Sequence, residues 1–334
     1  MKPVLWTSAA LQQTLLKRLQ GTFEAKTVRA LSSIDEIEQL TKESVLFVDE
    51  AGLTQIAAAG LAPQCPTIGI ATEDPRRTTV AWLREYPWLT HVIGSGILEL
   101  ELSGEHIANV MRTLRVPQPR LLDWIDSSVK GRRIKLSKSS MRVERLEKMS
   151  DYLQSGGVGE RTIENLRDVA EELLTNAFYD APVAAGAFKG AISRTQEVVL
   201  PEDRACDLAY GCSPDLAMVR VRDPFGSLSH RRIVEVLTRC ASNQMDVIVD
   251  ESMGGAGLGL WRVVSVASFI GISVIKEQQT EILVGIATKR SAAARPFALH
   301  LFFKDPQKRG FWRFVDEDST RNASLNKSVT ILAK

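Results

Sequence analysis

Short apolar runs alternate with amphipathic stretches through the first 125 residues of this 334-residue chain, and that alternation restricts the fold more than any other feature. VLW (4–6), SVLFVDE (44–50), TIGIAT (67–72) and HVIGS (91–95) read as strands. Helix-like segments separate them, the first with Leu11, Leu15, Leu16 and Leu19 at helical spacing. Strands that alternate with helices imply a parallel sheet covered on both faces, so the expected class of this region is α/β.

The order and spacing of these segments resemble the receiver domain of bacterial two-component systems. The resemblance implies a flavodoxin-like, five-stranded parallel sheet over residues 1–125. In that family a phosphorylatable aspartate ends the third strand, and Asp49 stands there. Thr7 and Ser8 replace the acidic pair that would hold Mg²⁺. Thr72 supplies a hydroxyl, but Gly94 and Ser95 stand where the family has a lysine. Phosphoryl transfer needs the metal and a positive charge against developing negative charge. The domain therefore reads as a pseudo-receiver suited to docking, with Asp49 a strand-end carboxylate.

Composition sets wider bounds. Forty-two basic residues stand against 40 acidic ones, a net +2, which argues against a general electrostatic grip on nucleic acid or anionic membrane. A 44% hydrophobic and 25% charged content excludes collagenous, disordered and disulfide-scaffold classes. Cys206 and Cys212 flank an apparent turn, which leaves a metal or redox role open beside the plainer reading of buried thiols. The start, MKPVLWTSAALQQ, lacks the design of a signal peptide. The longest apolar stretch, Trp261 to Ile275, is 15 residues long, too short for a bilayer, and reads as a buried helix running into a strand. A cytoplasmic protein is expected.

A basic stretch follows the first domain. Lys130, Arg132, Arg133, Lys135, Lys138, Arg142, Arg145 and Lys148 fall within residues 126–150 with no interleaved aromatics for base stacking. A solvated linker leading into a helix is expected there, and nucleic acid is not expected as a partner.

Three later segments carry chemistry. In ENLRDVAEELLTNAFYDAPV (164–183), Leu166, Val169, Ala170, Leu173, Leu174, Ala177 and Phe178 form a helical stripe. Glu172, Asn176 and Asp180, four residues apart, line one edge of it. LAMVRVRDPFGSLS (216–229) reads as a strand ending in Asp223, then a turn with Pro224 and Gly226. MGGAGLGLWRVVSVA (253–267) places Gly254, Gly255, Gly257 and Gly259 beside a helix that begins near Leu258, a pattern suited to anionic oxygens. A Rossmann reading would use Glu277 as its acidic residue, but the chain that follows does not repeat the βαβ pattern.

In this order the three segments resemble the ATP-binding domain of the GHKL superfamily, which includes gyrase, histidine kinases and anti-sigma-factor serine kinases. The resemblance implies an α+β Bergerat sandwich over residues 151–290 and a nucleotide site for ATP and Mg²⁺. Glu172-x-x-x-Asn176 matches the N box, in which Asn176 would hold Mg²⁺ and Glu172 would act as general base. Asp223 matches the aspartate that receives the adenine amino group, and Gly255, Gly257 and Gly259 match the second glycine box. Asp180, Gly226 and Leu258 complete the expected site. The first glycine box departs from the family pattern, with Phe225 and Ser227 at its glycine positions.

Histidine placement separates the subfamilies. His91, His106, His230 and His300 are the chain's four histidines, and none precedes the N box as a phosphoacceptor would. Histidine autokinase activity is therefore not expected, whereas serine/threonine kinase or weak ATPase activity stays open. His230, at the start of the lid, and Arg222, Arg231, Arg232 and Arg239 are candidates to meet phosphates. Residues 291–334 read as an extension with strands at 297–303 and 327–333. Its Phe311, Trp312 and Phe314 beside Lys308, Arg309 and Arg313 would form a partner surface or pack on the sheet. The expectation is a bacterial signalling protein that binds ATP–Mg²⁺ and acts through a protein partner, with homodimerisation left open. The competing expectation is a silent scaffold built from two degenerate domains.

Overall fold

The structure, a computed structural model, describes residues 1–20, 28–99, 103–116, 120–128, 130–241, 258–288, 296–307 and 330–332. The chain is mixed α/β and divides into two units, one taking in Met1–Pro119 and Ser291–Phe302, the other Arg120–Arg290 and Phe303–Arg309.

In the first unit β1 (Lys2–Trp6), α1 (Ala9–Gln20), β2 (Arg29–Ala30), β3 (Ser44–Asp49), α2 (Glu50–Ala58), β4 (Thr67–Ala71), α3 (Pro75–Glu85), β5 (His91–Gly94), α4 (Ser95–Leu98) and α5 (Ser103–Arg115) follow one another. The strands pair in parallel in the order β2-β1-β3-β4-β5. Every residue of β4 is buried, as a strand covered on both faces requires. Val4, Leu46, Val48, Leu53, Ile56, Trp82 and Leu89 belong to one core cluster. Pro75 opens α3, where its missing N–H costs nothing, behind the capping carboxylate of Asp74.

The second unit begins with α6 (Leu122–Ser128) and β6 (Lys130–Leu136). Helices α7 (Arg142–Ser155) and α8 (Glu160–Thr175), a π-helical turn at Asn176–Asp180 and the short α9 (Ala181–Ala184) come next. Then follow β7 (Glu197–Val199), β8 (Cys206–Cys212), β9 (Leu216–Asp223), α10 (His230–Ala241), α11 (Leu258–Val266), β10 (Phe269–Ile275) and β11 (Gln279–Ala287). Five strands pair antiparallel in the order β10-β11-β9-β8-β6. Register sorts their side chains: Val221 lies opposite Ile282 on one face, and Arg220 opposite Leu283 on the other. Tyr152 of α7 packs edge-on against Tyr210 on the first face. The second face is covered by the α6 region, through Leu121 at Gly271 and Trp124 at Phe269.

β12 (Ala298–Lys304) runs antiparallel to β5, with His300 opposite His91, and β13 (Thr330–Leu332) runs antiparallel to β7. The expected extension thus supplies a strand to each unit. Residues 126–150, expected as a linker into a helix, hold β6 as well as most of α7. Arg133 pairs with Asp207 at 2.6 Å, Arg142 with Glu171 at 2.9 Å, and Lys148 with Glu144 at 2.5 Å. These three of the eight basic residues are thus paired with carboxylates of the same unit.

The apparent turn between Cys206 and Cys212 is the continuous strand β8, which separates the two thiols by about 20 Å at ~3.3 Å per residue, too far for one metal or disulfide. The stretch from Trp261 to Ile275 is the end of α11 followed by β10. No described helix is long and apolar enough to cross a membrane. The aromatic and basic cluster at 308–314 lies outside the described residues.

Candidate functional site

The far end of α8 is shaped by Pro182. Proline has no N–H to donate to the carbonyl of Phe178 four residues back, and its ring crowds that carbonyl. The helix widens there into the π turn, closed by the N–H of Ala181 on the carbonyl of Asn176. Single π turns inside helices recur at functional sites. The edge expected to run straight through Glu172, Asn176 and Asp180 therefore bulges after Asn176. All three side chains are half-buried. Burial pushes the Asp180 carboxyl up to about 6; Arg194, 3.8 Å away, pulls it down, and the like charge of Glu172 adds to the rise.

Asp223 ends β9 with 7% of its surface exposed. The N–H of Phe225 donates to its Oδ1 at 2.9 Å. Burial pushes this carboxyl up to about 6, against hydrogen bonds from the N–H groups of Phe225 and Gly226 and from Thr280. Thr280 is the residue directly opposite Asp223 on β11. Its role was missed from sequence, where strand register is not written.

The turn after Asp223 is locked in place. Gly226 adopts φ +61°, in the left-handed region, and a Cβ there would strike the Ile275 carbonyl and lie 2.8 Å from the nitrogens of Gln278 and Gln279. Its own carbonyl accepts from the N–H of Glu277 at 3.2 Å. Glu277, the acid of the Rossmann alternative, sits in the β10–β11 turn of an antiparallel sheet, which removes that alternative. Phe225 is fully buried. The Ser227 hydroxyl donates to the Ala181 carbonyl at 3.1 Å, tying this turn to the end of the π segment.

Leu258 opens α11, and the next residue, Gly259, lies against Glu172 so closely that a Cβ would overlap the carboxylate. The fold thus brings Glu172, Asp180, Gly226, Gly259 and the Asp223–Thr280 pair onto neighbouring segments. Gly255 and Gly257 lie outside the described residues.

Other candidates have different surroundings. His230 opens α10 with its ring 5.7 Å from Phe303, and burial lowers it to about 4. A neutral imidazole can offer a phosphate its one N–H but no positive charge. Arg222 donates to Gln279 at 3.3 Å, and Arg231 pairs with Glu235 at 2.7 Å. In the first unit Asp49 caps α2, accepting from Gly52 N–H at 3.0 Å and from Ser8 N–H at 2.7 Å. Both carboxylate oxygens are held by backbone donors, as a strand-end cap requires.

Compared with models of known protein families and with curated proteins, the chain matches none.

Proposed function

We propose that the second unit is a GHKL-type ATP-binding domain of the Bergerat kind, carried with a flavodoxin-like pseudo-receiver in a bacterial, cytoplasmic signalling protein. ATP–Mg²⁺ occupancy would set how it engages a protein partner, in the manner of anti-sigma-factor kinases. The observation that carries this reading is the meeting of Glu172 with Gly259, which joins the N-box helix to the start of the helix after the glycine run. Two further features support it: the antiparallel β10-β11-β9-β8-β6 sheet with α7 on one face, and the Asp223–Thr280 pair at a strand end. The order β2-β1-β3-β4-β5 in the first unit supports the flavodoxin-like half.

The residues fit a magnesium–nucleotide pair. Burial raises Asp180, Arg194 and Arg232 oppose the rise, and Glu172 adds to it. Two carboxylates and two cations thus meet at this edge, a mixed polar place that a magnesium–phosphate pair would suit. Among the described residues no group of three or more His, Cys, Asp or Glu side chains is arranged to hold a metal unaided. Magnesium suits such a place, since it takes one or two protein oxygens and completes its shell with phosphate and water. Asn176 would supply the amide oxygen. When bound, the ion would neutralise phosphate charge. Glu172 is the group available to accept a proton from a hydroxyl or water, which fits serine/threonine kinase or ATPase chemistry.

Isothermal calorimetry of ATP with and without Mg²⁺ tests the proposal on the wild type, Asn176→Ala and Asp223→Ala. Expected are saturable binding by the wild type, loss of the Mg²⁺ dependence in Asn176→Ala, and loss of binding in Asp223→Ala. No binding by the wild type overturns it and leaves the second reading, a silent scaffold. That reading is favoured by the fully buried Phe225 and by the internal hydrogen bonds already made to Asp223.

A further inference from the structure

The π turn at Asn176–Asp180 needs more than Pro182 to fix its place. Proline leaves the Phe178 carbonyl without its usual donor, but a bulge can slide along a helix by exchanging one long hydrogen bond for the next. A shift of one residue would rotate a side chain by about 100° around the helix axis. Asn176 would then leave the edge it shares with Glu172.

Arg142, the first residue of α7, closes on both ends of this turn. Its Nη1 donates to the Thr175 hydroxyl at 2.5 Å and to Glu171 at 2.9 Å, and its Nε donates to the Ser139 carbonyl at 3.0 Å. The guanidinium carbon lies 5.3 Å from the centre of the Tyr179 ring, within cation–π range. The side chain is 15% exposed, so these contacts replace most of its hydration. Thr175 immediately precedes Asn176, and Tyr179 immediately precedes Asp180. One side chain thus holds two buried residues that adjoin the candidate ligands.

The contacts form a closed path. The Ser139 hydroxyl accepts the N–H of Val198 on β7 at 2.9 Å, and the Tyr179 hydroxyl donates to the carbonyl of Gln196, just before β7, at 2.9 Å. From Arg142 the path runs through Ser139, β7 and Tyr179 and returns to the guanidinium. No member of such a path can relax alone, so the turn is stiff where Asn176 and Asp180 leave it.

We infer that Arg142 is a positioning residue of the candidate nucleotide site: it pins the π turn so that Asn176 keeps its place beside Glu172. The inference rests on the reading of Asn176 as a magnesium–nucleotide ligand, and Arg142 acts on it through Thr175 and Tyr179. Arginine suits this task because its planar fork serves several acceptors while its face lies against an aromatic ring.

Amide hydrogen exchange of the ligand-free full chain, read by mass spectrometry, tests the pinning without nucleotide. In Arg142→Met, exchange over residues 175–184 should rise about tenfold or more with β9 and β11 at wild-type rates, as loss of charge-assisted hydrogen bonds requires. Calorimetry of ATP reads the consequence. The gain in affinity from Mg²⁺ should fall about tenfold, and affinity without Mg²⁺ should change less than about twofold. A merely structural role would lower both affinities together. Should Arg142→Met fail to fold, Thr175→Val removes one acceptor at nearly the same shape and should give about threefold effects in both measurements. Wild-type exchange over 175–184 in the folded variant, or equal losses of affinity with and without Mg²⁺, overturns the inference. A wild type that binds no ATP overturns the nucleotide reading, and the place of Arg142 in a nucleotide site with it, while the exchange measurement still decides whether Arg142 pins the turn.

Discussion

The carboxylate of Glu172 occupies the space in which a side chain at position 259 would begin, so α8 and α11 meet where Gly259 leaves room for this rotamer of Glu172. Gly259→Ala is expected to push the carboxylate off its rotamer and to destabilise the second unit by about 0.5–1.5 kcal/mol, the usual cost of an off-rotamer side chain. Glu172→Ala in the same chain makes room and should recover most of that loss. Urea denaturation of the two single variants and the double variant measures the coupling. Additive losses would mean that the two residues are not in contact.

Gly226 is constrained differently, by its backbone. A left-handed conformation costs an L-residue about 1–2 kcal/mol, and the overlap with the Ile275 carbonyl adds to it. Gly226→Ala should therefore lose more stability than Gly259→Ala, and Glu172→Ala should not rescue it. Displacing this turn also displaces the Phe225 and Gly226 N–H groups from Asp223, so ATP binding is expected to weaken in the same variant. Denaturation and calorimetry on one preparation check both effects, and an unaltered denaturation midpoint would remove the steric argument.

What could be read from the sequence was whatever depends on local pattern. The strands at 44–50, 67–72 and 91–95, the stripe of α8 and the strand end at Asp223 follow from period and turn chemistry. β6 was missed because KGRRIKL is mostly charged on one face, and its partner Asp207 lies on another strand. The bulge at Asn176–Asp180 depends on a proline two residues beyond it, acting backwards along the helix. Thr280 opposite Asp223 and His300 opposite His91 are facts of register and topology. Single residues far apart in the chain give no local signal of such meetings.

Asp223 gives a pH prediction with a definite sign. Its folded carboxyl titrates at about 6, above the ordinary 3.8, so its contribution to stability is greatest below pH 3.8 and is lost as the pH rises through 6. Accepting an amino group needs the opposite, ionised form. ATP affinity is therefore expected to be flat above pH 7 and to fall up to about tenfold per unit below pH 6. Asp223→Asn should bind weakly at every pH with that slope removed. Calorimetry at pH 5.0, 6.0 and 7.5 reads it, and a wild-type affinity independent of pH would show that Asp223 does not receive the nucleotide.

Behind the candidate site, the other face of the same sheet carries a buried ion cluster. Arg220 donates to Glu281 at 2.6 Å and to Asp207, which also receives Arg133 at 2.6 Å. Glu281 accepts the N–H groups of Leu121 and Leu122 at 3.0 and 3.1 Å, satisfying orphan donors at the start of α6. Replacing Arg220 with Met leaves two buried carboxylates without their shared cation, and breaking a buried pair in this way costs about 3–5 kcal/mol. Glu281→Gln should cost less, because the amide oxygen still accepts one of the two N–H groups. Chemical denaturation of both variants, followed through Trp124 at 6.0 Å from Phe269, gives the comparison. A loss below about 1 kcal/mol in Arg220→Met would match an exposed pair rather than a buried one, and would remove the cluster as the anchor of α6.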